Sequence, residues 1–164
     1  MATIKFKAGD EYLGKLSKLS AAVKDEVCGP AIYNAASIVA DAIRQELKKV
    51  PTDEQHGTES DKAKGPRKIQ KKGLYDSLGI TTLRTDGNGD MDVKIGFDGY
   101  NEVKTKSFPK GQPNQMIARS VERGTSFMKA NPFVKKAVSR TKEEALEEMK
   151  KTVDKQIESI MERK

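Results

Sequence analysis

Six basic side chains fall within eleven consecutive residues, and this density of positive charge is the clearest binding chemistry in the chain. They are Lys62, Lys64, Arg67, Lys68, Lys71 and Lys72, and no acidic residue stands among them. Such a cluster can neutralise several phosphates or can face an acidic protein surface. The run has no aromatic residue to stack on a base and no recognisable nucleic-acid-reading motif. Three interpretations stay open: a solvated flexible loop, contact with DNA, or contact with an acidic protein rim.

A second polar stretch, residues 98–112, repeats this chemistry with Lys104, Lys106 and Lys110. Neither this stretch nor residues 51–72 shows apolar periodicity, and glycine and proline punctuate both. We therefore predict a flexible basic loop over residues 51–72 and a second polar loop over residues 98–112. These two loops are predicted to hold the residues that contact a partner or DNA.

Metal-binding side chains near the basic run are too few for a site. His56 is the single histidine, and its acidic neighbours are Asp53, Glu54 and Glu59. Zinc sites use histidine and cysteine ligands held by a rigid element, and this stretch offers one histidine in a polar loop. The sequence therefore predicts no metal site around His56.

The acidic pattern after residue 85 matches only the first half of a calcium-binding loop. Asp86, Asn88 and Asp90 occupy its first, third and fifth positions. Met91 then replaces the turn glycine, and Phe97 replaces the bidentate glutamate. The Asn-Gly pair in this stretch is instead typical of a tight hairpin turn.

No arrangement of nucleophile, base and acid in the sequence suggests catalysis. The lone histidine lies in a polar loop, and no nucleophile-elbow or phosphate-loop sequence is present. The single cysteine, Cys28, excludes an intrachain disulfide, fits a reducing compartment and is predicted to act as a small buried hydrophobe. We predict that the protein is not an enzyme and uses no cofactor.

Apolar spacing predicts the elements that position these loops. A helix is expected over residues 10–27, and a longer early helix follows and ends at Pro51. Residues 79–97 read as a hairpin of ambiguous register, because Ile80 and Leu83 differ in parity. A last helix of roughly 45 Å runs from Pro132, at 1.5 Å per residue. Residues 145–164 are predicted as a helical extension that forms either an exposed arm or an oligomer contact.

The composition fits one α+β domain over residues 1–164, with a small antiparallel sheet (the 79–97 hairpin plus short strands). Long early and C-terminal helices are predicted to pack on this sheet. With 35% hydrophobic and 34% charged residues, the core is lean, and most of the net charge of +7 is attributable to the basic run. No apolar run approaches the ~20 residues that span a bilayer. The first residues lack a signal peptide's apolar region, so we expect a soluble protein made in a cytoplasm.

The stretch between residues 121 and 137 combines a helix end, a short crossing and a helix start. Gly124 can end a helix because glycine adopts the left-handed backbone without a Cβ clash. Asn131 is predicted to cap the next helix through its side-chain oxygen, with Pro132 at the first helical position. Glu122 is expected to accept backbone hydrogen bonds in the crossing, and Phe133 to anchor the last helix to the sheet.

Three blocks of this sequence resemble the small head–tail joining, or tail-completion, proteins of long-tailed bacteriophages and prophages. The first is the amphipathic helix that ends at Pro51, and the second is Gly73-Leu74-Tyr75-Asp76-Ser77-Leu78, similar to the family's Gly-x-Leu-x-x-Ser-Ile. The third and most specific block joins Glu122-Arg123-Gly124-Thr125 to Pro132-Phe133 and Ala137. The resemblance covers roughly residues 30–140. Family members pass from the proline to the second block in a few residues, whereas about twenty intervene here.

This resemblance implies a structural protein of the virion neck or tail, assembled in the bacterial host cytoplasm without a membrane. Its expected partners are the head–tail connector or stopper protein, the tail tube protein and further copies of itself in a ring, with sixfold symmetry suggested by the family. The alternative is a basic nucleic-acid-associated protein that uses the 62–72 loop. The motif residues are predicted to build the fold: Gly73, Leu74, Ser77, Glu122, Gly124, Thr125, Pro132, Phe133 and Ala137.

Overall fold

A computed structural model of the chain describes residues 23–85 and 91–162. The predicted α+β class, with a small antiparallel sheet, a long early helix and a long last helix, is confirmed. Among the described helices, none is long and apolar enough to cross a membrane.

The described residues form a π-helical turn, four α-helices and four short strands. In chain order they are the turn Val23–Cys28, α1 (Gly29–Lys49), α2 (Lys68–Ser77), β1 (Leu78–Ile80), β2 (Arg84–Thr85), β3 (Met91–Asp92), β4 (Ile95–Phe97), α3 (Asn114–Arg123) and α4 (Phe133–Glu162). Most of the helix predicted over residues 10–27 and the residues of the calcium-like pattern up to Asp90 lie outside the described ranges.

The two long helices, α1 and α4, pack side by side in antiparallel directions. Asn34 Nδ2 donates to Thr152 Oγ1 at 3.2 Å near one end of the pair. Arg140 Nη1 donates to Glu46 Oε1 at 2.7 Å towards the other end. Small side chains let the helix axes approach closely, and the α1 residues buried by this packing and by the rest of the core include Ala31, Ala35, Ala36, Ala40 and Ala42.

The second half of α4, which the sequence predicts as a helical extension over residues 145–164, packs against the rest of the protein. Ala145, Thr152 and Ile160 are all buried, and α4 contacts both α1 and the π-helical turn. The described part of this segment does not project as an exposed arm, because α1 and the turn before it together supply a matching length of helix surface. The last described residues of α4 therefore belong to the packed body.

The strands form one hairpin that a tyrosine from α1 interrupts. Antiparallel pairing joins β1 to β4, with Ile80 opposite Ile95, and β2 to β3, with Arg84 opposite Asp92. Between the two pairs, the hydroxyl of Tyr33 donates to the Thr81 carbonyl at 3.2 Å and accepts from the Leu83 N–H at 2.8 Å. This insertion resets the alternation of the strand and explains why Ile80 and Leu83 differ in parity.

The core lies where the hairpin meets all four helices. Its most deeply buried large side chains include Leu47 from α1, Leu74 from α2, Val121 from α3 and Phe133 from α4. The Phe133 ring packs edge-on against Phe97 in β4, with ring centroids 6.0 Å apart. Phe133 therefore anchors the last helix to the sheet, as the sequence predicted.

The start of α2 corrects the predicted end of the basic loop. The sequence placed residues 68–72 in the loop, whereas the helix begins at Lys68. Gln70 Oε1 accepts from the Arg67 N–H at 3.1 Å, and Glu54 Oε1 accepts from the Lys68 N–H at 3.0 Å, so two of the free donors at this helix start are satisfied. The prediction was wrong because lysine and glutamine, which favour helices, were interpreted as loop residues from their charge and polarity.

The crossing between α3 and α4 ends one helix as predicted and starts the next in a different way. Gly124 has a φ of +74° and its N–H donates to the Ser120 carbonyl at 2.9 Å. The predicted Asn131 cap is corrected, because its side-chain nitrogen donates to the Lys64 and Lys129 carbonyls. The start of α4 is instead capped by Glu122, whose carboxylate accepts from the N–H groups of Val134 at 2.9 Å and Lys135 at 3.0 Å.

Candidate functional site

Three connecting segments meet at one end of the packed helices. They are the first loop (residues 50–67), the second loop (residues 98–113) and the crossing (residues 124–132). Ala63 exchanges two backbone hydrogen bonds with the crossing, donating to the Phe127 carbonyl and accepting from the Lys129 N–H, each at 2.9 Å. Gln70 Nε2, at the start of α2, donates to Gln112 Oε1 in the second loop at 2.9 Å. We call this region the loop cluster.

Glycines allow the first loop to approach its neighbours closely. A Cβ on Gly57 would overlap the Phe127 carbonyl oxygen in the crossing. A Cβ on Gly65 would overlap the Pro51 carbonyl oxygen at the beginning of the same loop. The path of the loop therefore requires residues without a side chain at these two positions.

A carboxylate holds the two ends of the first loop together. Asp53 accepts from the N–H groups of Lys64 and Gln55, both at 3.1 Å, and its own N–H donates to the Pro66 carbonyl at 3.1 Å. The N–H donors of Lys64 and Gln55 hold the pKa of Asp53 below its ordinary value. These bonds favour the ionised form of Asp53. The ionised carboxylate therefore holds the two ends of the loop together.

Acidification is expected to loosen this closure. A carboxyl group with a lowered pKa in the folded state stabilises that state above its unfolded pKa and loses this contribution as the pH falls through the folded value. We therefore expect the amide NMR signals of Gln55 and Lys64 to shift below about pH 4, the ordinary range of aspartate. The Asp53→Asn variant is the control, since it cannot titrate, and identical shifts in both proteins would contradict this role of Asp53.

Two buried asparagines attach the second loop to α2 and to the start of α3. Asn101 Nδ2 donates to the Ile69 carbonyl at 3.3 Å, and Asn101 Oδ1 accepts from the Val103 N–H at 3.2 Å. Asn114 Nδ2, at the start of α3, donates to the Asp98 carbonyl at 2.8 Å. A Cβ on Gly73 would overlap Asn101 Nδ2. The glycine of the Gly-x-Leu block therefore makes room for the side chain that fixes this loop.

Two adjoining grooves run through the loop cluster. One groove, of about 460 Å³, is lined by residues of all three segments, including Arg67 and Lys104. The other, of about 420 Å³, is lined by Lys62, Arg123 and Lys129 together with the backbone after Gly124. Thr125 and Met128 line both grooves, so the two grooves adjoin at these residues and together hold five cations. Asp53 is the one carboxylate among the described residues that line them.

An exposed aromatic pair lies at the edge of this surface. The ring of His56 stacks on that of Phe127, with centroids 5.4 Å apart and an angle of 29° between the rings. Phe127 is 48% exposed, which is high for a phenylalanine. The arrangement supplies an apolar contact beside the cations.

The structure divides the nine predicted contact cations among four surroundings. Lys62, Arg67 and Lys104 line the two grooves, whereas Lys68 and Lys72 line a separate groove along α2 that also contains Asp76, Asp98 and Glu102. The exposed side chains of Lys64, Lys106 and Lys110 line none of these grooves. Lys71 is the ninth, and its ammonium binds backbone carbonyls at the end of α1.

The ammonium of Lys71, one of the predicted contact cations, binds the protein's own backbone. Its ammonium donates to the carbonyls of Lys48 at 2.8 Å and Val50 at 2.6 Å, at the end of α1. Burial lowers the pKa of this ammonium. Because a cation at a helix C-terminus stabilises the unpaired carbonyls there, Lys71 serves the fold.

Two groove cations, Arg123 and Lys129, were not among the predicted contact residues. They flank Gly124 in the motif, about 60 residues from the basic run. The backbone pairing of Ala63 with the crossing, and the bond from the Asn131 side chain to the Lys64 carbonyl, bring them beside Lys62. The sequence around Gly124 does contain positive charges and a phenylalanine, which indicate a binding surface. It does not indicate that this surface lies beside the basic run.

The motif residues themselves contact the protein interior or their own backbone. Thr125 Oγ1 accepts from the N–H groups of Phe127 and Met128, both at 3.1 Å. Ser77 Oγ donates to the Leu74 carbonyl at 3.4 Å. Among the side chains that the structure describes, no three histidine, cysteine or acidic residues lie close enough together to hold a metal ion.

Compared with protein-family models, with curated proteins and with solved structures, the chain gives no match.

Proposed function

We propose that this protein is a structural component of a long-tailed bacteriophage or prophage particle, where it joins the head connector to the tail tube. One observation carries the proposal: the three sequence blocks that resemble head–tail joining proteins pack on one another. Leu47 from the first block, Leu74 from the second and Phe133 from the third belong to one cluster of buried side chains. Blocks that jointly form a core specify a fold, and a shared fold is what the resemblance implies.

The part of the first loop after Pro51, where the chain departs from the family pattern, lies outside this core. The first loop accounts for most of the residues inserted between Pro51 and the Gly-x-Leu block, and it lies in the loop cluster with the second loop. Surface loops on a rigid body are common sites of partner contact. The loop cluster is therefore the surface that we assign to a neighbouring neck or tail protein.

A ring of identical copies requires a contact between two different faces of the chain that closes after a fixed number of subunits. The family resemblance suggests six copies. The connector or stopper protein on one side of the ring and the tail tube protein on the other are the proposed partners.

Omission of the protein from particle assembly tests this function. We expect a phage or prophage that lacks its gene to produce separate filled heads and complete tails, visible by negative-stain electron microscopy. Supplying the wild-type protein from a plasmid is the control and should restore joined particles. Joined, infectious particles in the absence of the protein would refute the proposal.

A further inference from the structure

We propose that the two grooves of the loop cluster bind an acidic segment of a partner protein. The choice of a protein partner rests on the proposed joining function, and the binding surface rests on the structure. The segment would lie extended in the grooves, with carboxylates towards the five cations and an apolar side chain towards Phe127. The groove cations are Lys62, Arg67, Lys104, Arg123 and Lys129.

Charge supplies the first argument. Among the described residues, Arg44 forms an ion pair with Asp41, and Lys49 and Arg140 form ion pairs with Glu46. In the described part of the chain, none of the five groove cations forms an ion pair. Asp53, the carboxylate at the groove, already accepts two backbone hydrogen bonds. The grooves therefore present an excess of positive charge that a carboxylate-rich segment would complement.

The lining of the grooves supplies the second argument. Val103, Phe127 and Met128 add apolar surface between the cations. Interfaces with proteins combine apolar anchors with a polar rim. A segment that alternates acidic and apolar side chains matches this mixture, because successive side chains of an extended chain point in opposite directions.

The distribution of the basic run argues for protein over nucleic acid. A nucleic-acid backbone needs a continuous positive path for its phosphates. Here Lys71 is directed into the end of α1, and Lys68 and Lys72 share their groove with three carboxylates. Of the five groove cations, only Lys62 and Arg67 come from the basic run, so the run does not line the grooves with a continuous strip of positive charge.

The walls of the grooves are held in place before any partner binds. The Ala63 pairing with the crossing fixes one wall, and Thr125 closes the turn that carries Phe127. Gln112 ties the second loop to the start of α2. A preformed site loses less conformational entropy on binding than a loop that must order itself.

Fluorescence anisotropy with a labelled synthetic peptide tests the inference. The probe is a short peptide of glutamates around one phenylalanine, and an oligothymidylate of equal net charge is titrated in parallel. We expect the wild-type protein to bind the peptide more tightly than the oligonucleotide. The Lys104→Gln, Lys129→Gln double variant removes one cation from each groove and should weaken peptide binding about tenfold, the scale of a few surface charge contacts.

A matched control separates the grooves from the general positive charge. The Lys106→Gln, Lys110→Gln double variant removes the same charge from exposed positions outside both grooves and should change peptide affinity less than about twofold. All four side chains are exposed, so circular dichroism should show equal folding of both variants. Equal loss in the two variants, or no measurable peptide binding by the wild-type protein, would overturn the proposed site.

Tighter binding of the oligonucleotide, weakened by the same groove variant, would overturn the protein partner and identify a nucleic-acid surface. These outcomes are distinguishable from failure of the joining function. Particle assembly without the protein would refute the joining function and leave the peptide measurement unchanged.

Discussion

Replacing Phe133 with alanine is expected to lower the free energy of unfolding by about 3–5 kcal/mol, the usual cost of truncating a buried aromatic residue. The side chain is 2% exposed and packs edge-on against Phe97. It also stands at the first residue of α4, next to the N–H groups that Glu122 caps. The substitution therefore leaves a cavity at the point where the sheet and the last helix meet. Urea unfolding followed by circular dichroism measures the change.

Phe127 provides a control of the same residue type. It is 48% exposed and contacts His56 at the surface, so Phe127→Ala should cost less than about 1 kcal/mol. The difference between the two variants in free energy of unfolding therefore reports the burial of Phe133, because both variants lose the same aromatic ring. Equal destabilisation by the two substitutions would contradict the placement of Phe133 at the centre of the core.

Replacing Gly73 with alanine is expected to destabilise the protein by about 2–4 kcal/mol, through overpacking and the loss of a buried hydrogen-bond network. The new Cβ would overlap Asn101 Nδ2 and would lie 3.3 Å from Asn114 Oδ1. Both asparagines are buried and hold the second loop. In an unconstrained helix, the same substitution stabilises by up to about 1 kcal/mol, so the sign of the change is diagnostic.

Gly79→Ala is the matched control for this prediction. Gly79 lies in β1, and no atom lies within 4 Å of a Cβ built there. Its substitution should change the free energy of unfolding by less than about 0.5 kcal/mol. The side-chain amide signals of Asn101 should shift in Gly73→Ala alone. An increase in stability of Gly73→Ala would show that the asparagine does not pack against this glycine.

The long helices and the hairpin were predictable because local pattern determines them. The apolar spacing on α1 and the proline at its end are both local signals. Gly124 likewise ends α3 through its own backbone preference. The interruption by Tyr33 was not predictable, since the hydroxyl that enters the hairpin comes from a helix about 50 residues away. The cap of α4 was only partly predictable. The sequence indicated that Glu122 accepts backbone hydrogen bonds, but it did not indicate that the donors are the N–H groups of Val134 and Lys135.

The candidate site was less predictable than the fold. The basic run indicates a positive surface, but charge alone does not reveal which ammonium groups reach solvent. Lys71 and Lys72 are adjacent in sequence, yet the first caps α1 and the second lines a surface groove. The five groove cations come from the first loop, the second loop, the end of α3 and the crossing. Their assembly depends on tertiary pairing that no local pattern encodes.

The pairing of α1 with α4 bears on how the chain folds during synthesis. The contact between Asn34 and Thr152 joins residues 118 positions apart, and that between Glu46 and Arg140 joins residues 94 apart. At about 5–20 residues per second, α1 leaves the ribosome roughly 5–20 s before α4 is complete. Its packing face is uncovered for that interval. That face is rich in alanine, and each alanine side chain presents little apolar area. We therefore expect α1 to expose little surface for aggregation before α4 is synthesised.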